Sequence, residues 1–187
     1  MHCHPGLQEG RGSSKIAVLD TIHGALTLAR RMDELDMKAD ALEVYHHTPS
    51  VADYDIVVAP VHLGLKNPVL VEAKKLEKPI ITHHQAAGEL LGEEETDIQV
   101  FEVTGTHSKT TTALLAARIL SRGKKVLSHT TRGLELWAEG ESRTIQKGLS
   151  ITPANVIPAF DAAKAQNVDA LISEISGEPT EAAASLR

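Results

Sequence analysis

Cysteine, aromatic residues, positive charge and long apolar runs are all scarce in this sequence. Cys3 is the only cysteine in 187 residues. No internal disulfide can form, and a reducing cytoplasm is the expected compartment. Aromatics make up 3% of the chain, too few for base-stacking platforms. The apolar runs, such as 56–60, are strand-sized and far short of a bilayer span, and none near Met1 resembles a secretory signal. The formal net charge is -6, which argues against non-specific binding to nucleic acid. What remains is a composition 42% apolar and 24% charged, suited to one large or two small domains with real cores. The unusual abundance is histidine, with ten residues.

Residues 1–14 are rich in Gly, Ser and His without periodicity and are expected to form a disordered lead. His2, Cys3 and His4 there are candidates for nothing more than stray metal. Short apolar runs at 15–20 (KIAVLD), 41–45, 55–60 (DIVVAP) and 79–82 (PIIT) read as buried strands. Between them, Ala25, Leu28, Ala29, Met32 and Leu35 mark one face of a helix. Helices are also expected at 67–76, with Pro68 in the first turn, and at 84–91. Residues 91–96 (LGEEET) read as a linker. A second series follows: strands at 97–104 and 125–129, a helix at 109–121, and a turn or hairpin at 137–143. A helix opened by Thr152 as N-cap and Pro153 comes next, then a strand at 169–175. Strands alternating with helices predict α/β architecture with parallel sheets. The predicted division is 15–92 as a Rossmann-like N-terminal domain and 97–187 as a second, P-loop-type domain.

The segment 103–112, VTGTHSKTTT, joins an apolar strand to a helix with an Ala/Leu face. That is the context of a phosphate-binding loop, in which backbone amides converge on an anion. Lys109 is placed to reach the β- and γ-phosphates. The Thr110 hydroxyl is placed to ligate Mg²⁺, with Thr111 beside it. Against the pattern G-x-x-x-x-G-K-[ST], Lys109 and Thr110 fit, but Val103 and Ser108 occupy the glycine positions. A polar turn with an N-capping Ser108 is the plain alternative. Ser108 would crowd a phosphate unless its φ were negative.

The loop resembles the G-T-x-G-K-T-T/S loop of the Mur ligase superfamily, where the first glycine is usually replaced. Residues 151–154 (ITPA) resemble that superfamily's T-T-P segment, and 173–176 (SEIS) its E-V-S motif. Within the superfamily, 18–25 (VLDTIHGA), 58–62 (VAPVH), 81–84 (ITHH), 129–133 (HTTRG) and 148–154 (GLSITPA) resemble the coenzyme F-430 synthetase group. The resemblance implies an ATP-dependent ligase of nickel-tetrapyrrole biosynthesis. A propionate of a nickel-containing reduced tetrapyrrole would become an acyl phosphate. A carbon of the macrocycle would then close a carbocyclic ring, with ADP and phosphate released. It implies Lys109 and Glu174 as catalytic groups, and Thr110 and Glu174 as Mg²⁺ ligands. Gly105, Thr106, His107, Ser108, Lys109, Thr110 and Thr111 would form the ATP loop. The alternatives are an amide ligase with a cell-wall or polyglutamate substrate, and a non-catalytic nucleotide- or tetrapyrrole-binding module. Mur-type ligases have three domains, so the resemblance also implies an N-terminal fragment. Its central domain would be partial, its closing domain absent, its turnover weak or nil and one sheet edge unpaired. The missing remainder of the ligase would then be a possible partner.

Six histidines follow predicted strands: His23, His46, His47, His62, His83 and His84. Carboxyl ends of parallel strands are where open α/β sheets bind ligands. Polar loop residues collect there in any case. The sharper readings are recognition of macrocycle carboxylates and axial ligation of its nickel. A dedicated protein metal site is not expected, since neither H-x-x-x-H nor C-x-x-C occurs. Arg132 is a candidate for gripping a substrate carboxylate, and Thr152 for lying beside the substrate. His129 reads equally as a site residue and as a satisfied strand-end histidine, and Trp137 reads as a packed residue.

Overall fold

The computed structural model describes residue 7, residues 14–92 and residues 96–176. The described residues divide into two compact units, the first holding residue 7 and residues 14–92 and the second residues 96–176. No helix among the described residues is long and apolar enough to cross a membrane.

Unit 1 is a four-stranded parallel sheet in the order β2-β1-β3-β4. Its strands are β1 (Lys15–Leu19), β2 (Lys38–Leu42), β3 (Ile56–Ala59) and β4 (Ile80–Thr82). Helix α1 (Ala25–Glu34) buries Ala25, Leu28, Ala29 and Met32, the stripe that spacings of three and four residues dictate. Helix α2 (Pro68–Lys75) is capped by Asn67, whose side chain accepts the Val69 amide at 2.9 Å. Proline at N1 and lysines in the last turn suit a helix of this polarity. Helix α3 (His83–Gly92) follows β4 directly. The strands β1 and β3 are almost wholly buried, as expected for a parallel sheet covered by helices.

Two expectations shift here. The second strand lies at Lys38–Leu42 rather than 41–45, because it pairs with β1 from Lys15↔Lys38 to Leu19↔Leu42. Val44 is buried beyond the strand, so its apolarity serves the core and not the ladder. Of the lead, only Leu7 and Ser14 are described. Leu7 is 1% exposed and its amide donates to Glu89 at 2.7 Å, so it is anchored and not part of a free tail. His2, Cys3 and His4 lie outside the described residues, as do residues 93–95 of the acidic linker.

Unit 2 is a five-stranded sheet in the order β5-β9-β6-β7-β8. Its strands are β5 (Gln99–Val103), β6 (Val126–Thr130), β7 (Gly133–Ala138), β8 (Glu141–Gln146) and β9 (Ala170–Glu174). β5, β9 and β6 are parallel, but β7 and β8 run antiparallel, so the sheet is mixed. The expected parallel sheet fails where the chain turns too soon. Only Thr131 and Arg132 separate β6 from β7, a turn that can join antiparallel strands only. Gly133 enables the turn: its φ is 108°, and a Cβ there would sit 2.2 Å from the Gln146 carbonyl oxygen.

Helix α4 (Lys109–Leu120) turns Ala113 and Ala117 into the core, small residues that let a helix approach a sheet closely. Trp137 is 8% exposed and packs in the same cluster; its Nε1 donates to the Ser128 hydroxyl at 2.9 Å. Pro153–Asn155 form a short 3₁₀ turn, and helix α5 (Val156–Ala165) starts only after it. Pro158 fits the first turn of that helix, where no intrahelical donor is lost. β5 is an outer strand, with Val100 39% and Phe101 44% exposed.

Candidate functional site

In unit 2 the loop between β5 and α4 is exposed from Thr104 to Ser108. Gly105 has φ 132° and Ser108 has φ 61°. Ser108 therefore holds the left-handed conformation that glycine favours, and not the negative φ under which its side chain would clear a phosphate. Its hydroxyl makes no capping bond to α4, which removes the N-cap account of this residue. The backbone keeps a glycine-like shape at about 1 kcal/mol of strain. Lys109 Nζ donates to the Gly105 carbonyl at 2.8 Å, so the lysine folds back over its own loop. Thr106 and His107 lie in the exposed span, and Thr111 is on the exposed side of α4.

The Thr110 hydroxyl donates to Glu174 Oε2 at 2.7 Å. The Thr131 amide donates to the same oxygen at 3.2 Å, and the Thr110 and Thr131 hydroxyls are 3.2 Å apart. Glu174 ends β9 and is 3% exposed. The first turn of α4, the end of β9 and the end of β6 thus meet at one carboxylate. Thr131 was not singled out by sequence; the T-T pair after β6 is the signal that could have found it.

His129 is fully buried, and burial pushes its imidazole below the ordinary value. Its Nε2 donates to the Ser150 carbonyl at 3.1 Å, and the Ser173 hydroxyl donates to Nδ1 at 3.0 Å. Both nitrogens are satisfied, as a packed strand-end histidine requires. Arg132 pairs with the buried Glu135 at 2.9 Å, so its guanidinium already has a carboxylate inside the protein. Thr152 sits at the N-cap position of the 3₁₀ turn but makes no capping bond with its side chain. Its hydroxyl lies 3.4 Å from that of Ser150.

In unit 1 the six predicted histidines do not all gather. His23 and His62 meet edge to face with ring centroids 4.7 Å apart. Both turn toward Asp20, whose side chain is fully buried. Tyr45 donates to the same carboxylate at 2.8 Å. Burial alone would raise the Asp20 carboxyl, but the hydrogen bonds from Tyr45 and His23 and the His23 charge outweigh it and hold it below its usual value. Burial and the Asp20 bond push the Tyr45 hydroxyl upward, so it keeps its proton.

His83 donates from Nε2 to the Leu19 carbonyl at 3.0 Å. Burial drives its imidazole down to about 4. Burial also lowers His84. His46 is exposed and bound to Glu43, which accepts from its amide and its ring; the His47 amide donates to Glu43 at 3.2 Å. These two histidines belong to a local turn rather than to the Asp20 cluster. Asp20 and Tyr45 are the residues that the sequence reading missed. The spacing D-x-x-H at the end of β1 was the available signal.

No family model matches the chain. It is similar to "Coenzyme F(430) synthetase" of Methanosarcina acetivorans, with 35% identity over 186 aligned residues. That match covers 87% of this chain and 39% of the relative. Two proteins named UDP-N-acetylmuramate–L-alanine ligase match over about half of the chain. The one from Geobacter sulfurreducens is 32% identical over 91 residues, which is 49% of this chain and 19% of the relative. The one from Methylocella silvestris is 29% identical over 89 residues, 48% of this chain and 18% of the relative. The chain therefore spans well under half of each of these relatives.

Proposed function

Starting from a chain that is Mur-ligase-like and resembles a coenzyme F(430) synthetase, we propose that it carries the nucleotide grip and a substrate surface of an ATP-dependent ligase. The reaction converts a propionate of a nickel-containing reduced tetrapyrrole into an acyl phosphate. Attack by a macrocycle carbon then closes a carbocyclic ring, and ADP and phosphate leave. The observation that supports the nucleotide grip is the 2.7 Å bond between Thr110 and Glu174, residues 64 positions apart. It brings the strand-to-helix loop and the end of β9 to one point.

The chemistry required is modest in kind. A carboxylate must approach a γ-phosphate against charge repulsion, so positive charge has to be placed where negative charge develops. Lys109 supplies one positive group by leaving the Gly105 carbonyl for the phosphate oxygens. The Thr110 hydroxyl and the Glu174 carboxylate form an all-oxygen donor pair that suits Mg²⁺, which adds further neutralisation when bound. The amides from Gly105 to Lys109 line the same loop, beside Thr111. On the unit 1 rim, exposed His46 and His47 and half-buried His84 offer imidazoles to the macrocycle carboxylates. Arg132 would contribute only by exchanging Glu135 for a substrate carboxylate, and Thr152 by turning its hydroxyl from Ser150 to the substrate. A reducing cytoplasm suits the lone cysteine.

The test is ADP release on mixing the protein with ATP, Mg²⁺ and the nickel seco-acid, followed alongside by the optical spectrum of the macrocycle. Release accompanied by a spectral change supports the proposal. Release only with an amine acceptor supports the amide-ligase reading, which the two muramate–alanine ligase relatives favour. No release, with ATP and the seco-acid both bound, fits the weak or absent turnover expected of this chain, whereas binding of neither overturns the proposal.

A further inference from the structure

Asp20 lies just beyond β1 with φ 79°, and its two carboxylate oxygens are used unequally. Oδ1 accepts the amides of Ile22 and His23, each at 3.1 Å. Oδ2 has three close neighbours: His23 Nδ1 at 2.8 Å, His62 Nε2 at 2.9 Å and the Tyr45 hydroxyl at 2.8 Å. A carboxylate offers about four acceptor sites across both oxygens, so three donors on one oxygen are more than its lone pairs accommodate well. The Tyr45 oxygen is also 3.1 Å from His62 Nε2 and 3.4 Å from His23 Nδ1. Four polar atoms from three loops converge where protons alone bind them poorly.

The topology explains the convergence. β2, β1 and β3 are adjacent and parallel, so the loops leaving their carboxyl ends share one rim. Asp20 and His23 follow β1, Tyr45 follows β2 and His62 follows β3. One donor atom from each of Asp20, His23 and His62 lies within 4.8 Å of the others. With ligand atoms about 2.1 Å from an ion, the 2.8–2.9 Å between Asp20 Oδ2 and each imidazole nitrogen subtends roughly 90° at that ion. That angle belongs to one face of an octahedron, the arrangement of two imidazoles and a carboxylate with open positions beyond. The side chains of His23 and His62 are 43% and 49% exposed, so the open positions face solvent and an ion can enter. The buried carboxylate anchors the set while the imidazoles close it.

We propose that Asp20, His23 and His62 form a binding site for one divalent first-row transition-metal ion, with the Tyr45 hydroxyl beside it as a hydrogen-bonding neighbour. The site needs no H-x-x-x-H or C-x-x-C spacing, because the parallel sheet supplies the proximity. It is independent of the ligase reading, since it uses only unit 1.

The test is titration of the full chain with Co²⁺ alone, followed by calorimetry and visible absorption. It is run on a background in which His2→Ala, Cys3→Ser and His4→Ala remove competing donors. The expected result is one equivalent bound with a weak d–d band of five- or six-coordinate cobalt. In that background H62A and H23A each lower affinity by more than the roughly 10- to 100-fold that loss of an outer hydrogen-bonding partner costs. Y45F retains one-equivalent binding. H62A changes a half-exposed loop residue, so an unchanged melting temperature in metal-free buffer confirms that the fold survives. D20N is read only if it melts as the parent does. No saturable binding, or binding that H62A and H23A leave unchanged, overturns the proposal.

Discussion

Each unit organises its candidate site around one buried carboxylate near the end of an interior strand, and the two carboxylates are dressed differently. Asp20 takes two amides, two imidazoles and a phenol. Glu174 takes one hydroxyl and one amide. The first is ringed by nitrogen donors, the second by oxygens and backbone. Nitrogen-rich surroundings suit borderline transition ions, while hard oxygen sets suit Mg²⁺ beside phosphate. The strand-end rim of each unit would therefore suit a different ion, and the side chains around the carboxylate decide which. The two also differ in structural weight. Asp20 ties three loops together, whereas Glu174 ties two strand ends to the start of α4.

The largest effect that sharpens this contrast is at Asp20. Asp20→Ala strips the shared acceptor from five donors and should cost about 3–5 kcal/mol, the scale of breaking a buried polar pair. Denaturant unfolding measures it. Next comes acid. His83 is neutral in the fold with a value near 4, against 6.5 in the unfolded chain. Between those values the unfolded state binds more protons, so stability is full above pH 6.5 and falls as pH drops toward 4. The loss is about 3 kcal/mol, and His83→Gln should flatten that slope. Glu174→Ala should cost less, about 1–3 kcal/mol for two lost acceptor contacts. Equal costs at Asp20 and Glu174 would break the comparison. The smallest effect is a gain: Ser108→Gly should raise stability by about 0.5–1 kcal/mol by relieving the positive φ, seen as a higher melting temperature.

The sheets were legible where one periodicity governed. The apolar runs at β1 and β3 and the stripe on α1 each answer to a single packing face. The α4 start at Lys109 was legible because the polar run before it gives way to a helical face carrying Ala113 and Ala117. β7 was not, since its extent depends on a two-residue turn and on Gly133 meeting the Gln146 carbonyl, a contact across the hairpin. Ser108 was legible as a departure from the glycine pattern, but its φ of 61° depends on the loop around it. The histidines were legible as a rim and not as a cluster. Which of them face Asp20 is set by loop direction, and Glu43 draws His46 and His47 away. Tyr45 and Thr131 became visible only once the strands were adjacent.

Binding of Mg²⁺-ATP to the chain, measured by calorimetry, tests the central claim most directly. The account predicts saturable binding that requires Mg²⁺ and falls at least about tenfold, or roughly 1.4 kcal/mol, in both Lys109→Ala and Glu174→Gln. Ser108→Gly should bind at least as well as the parent. Absence of binding in both the parent and Ser108→Gly, or binding indifferent to Lys109 and Glu174, would contradict it.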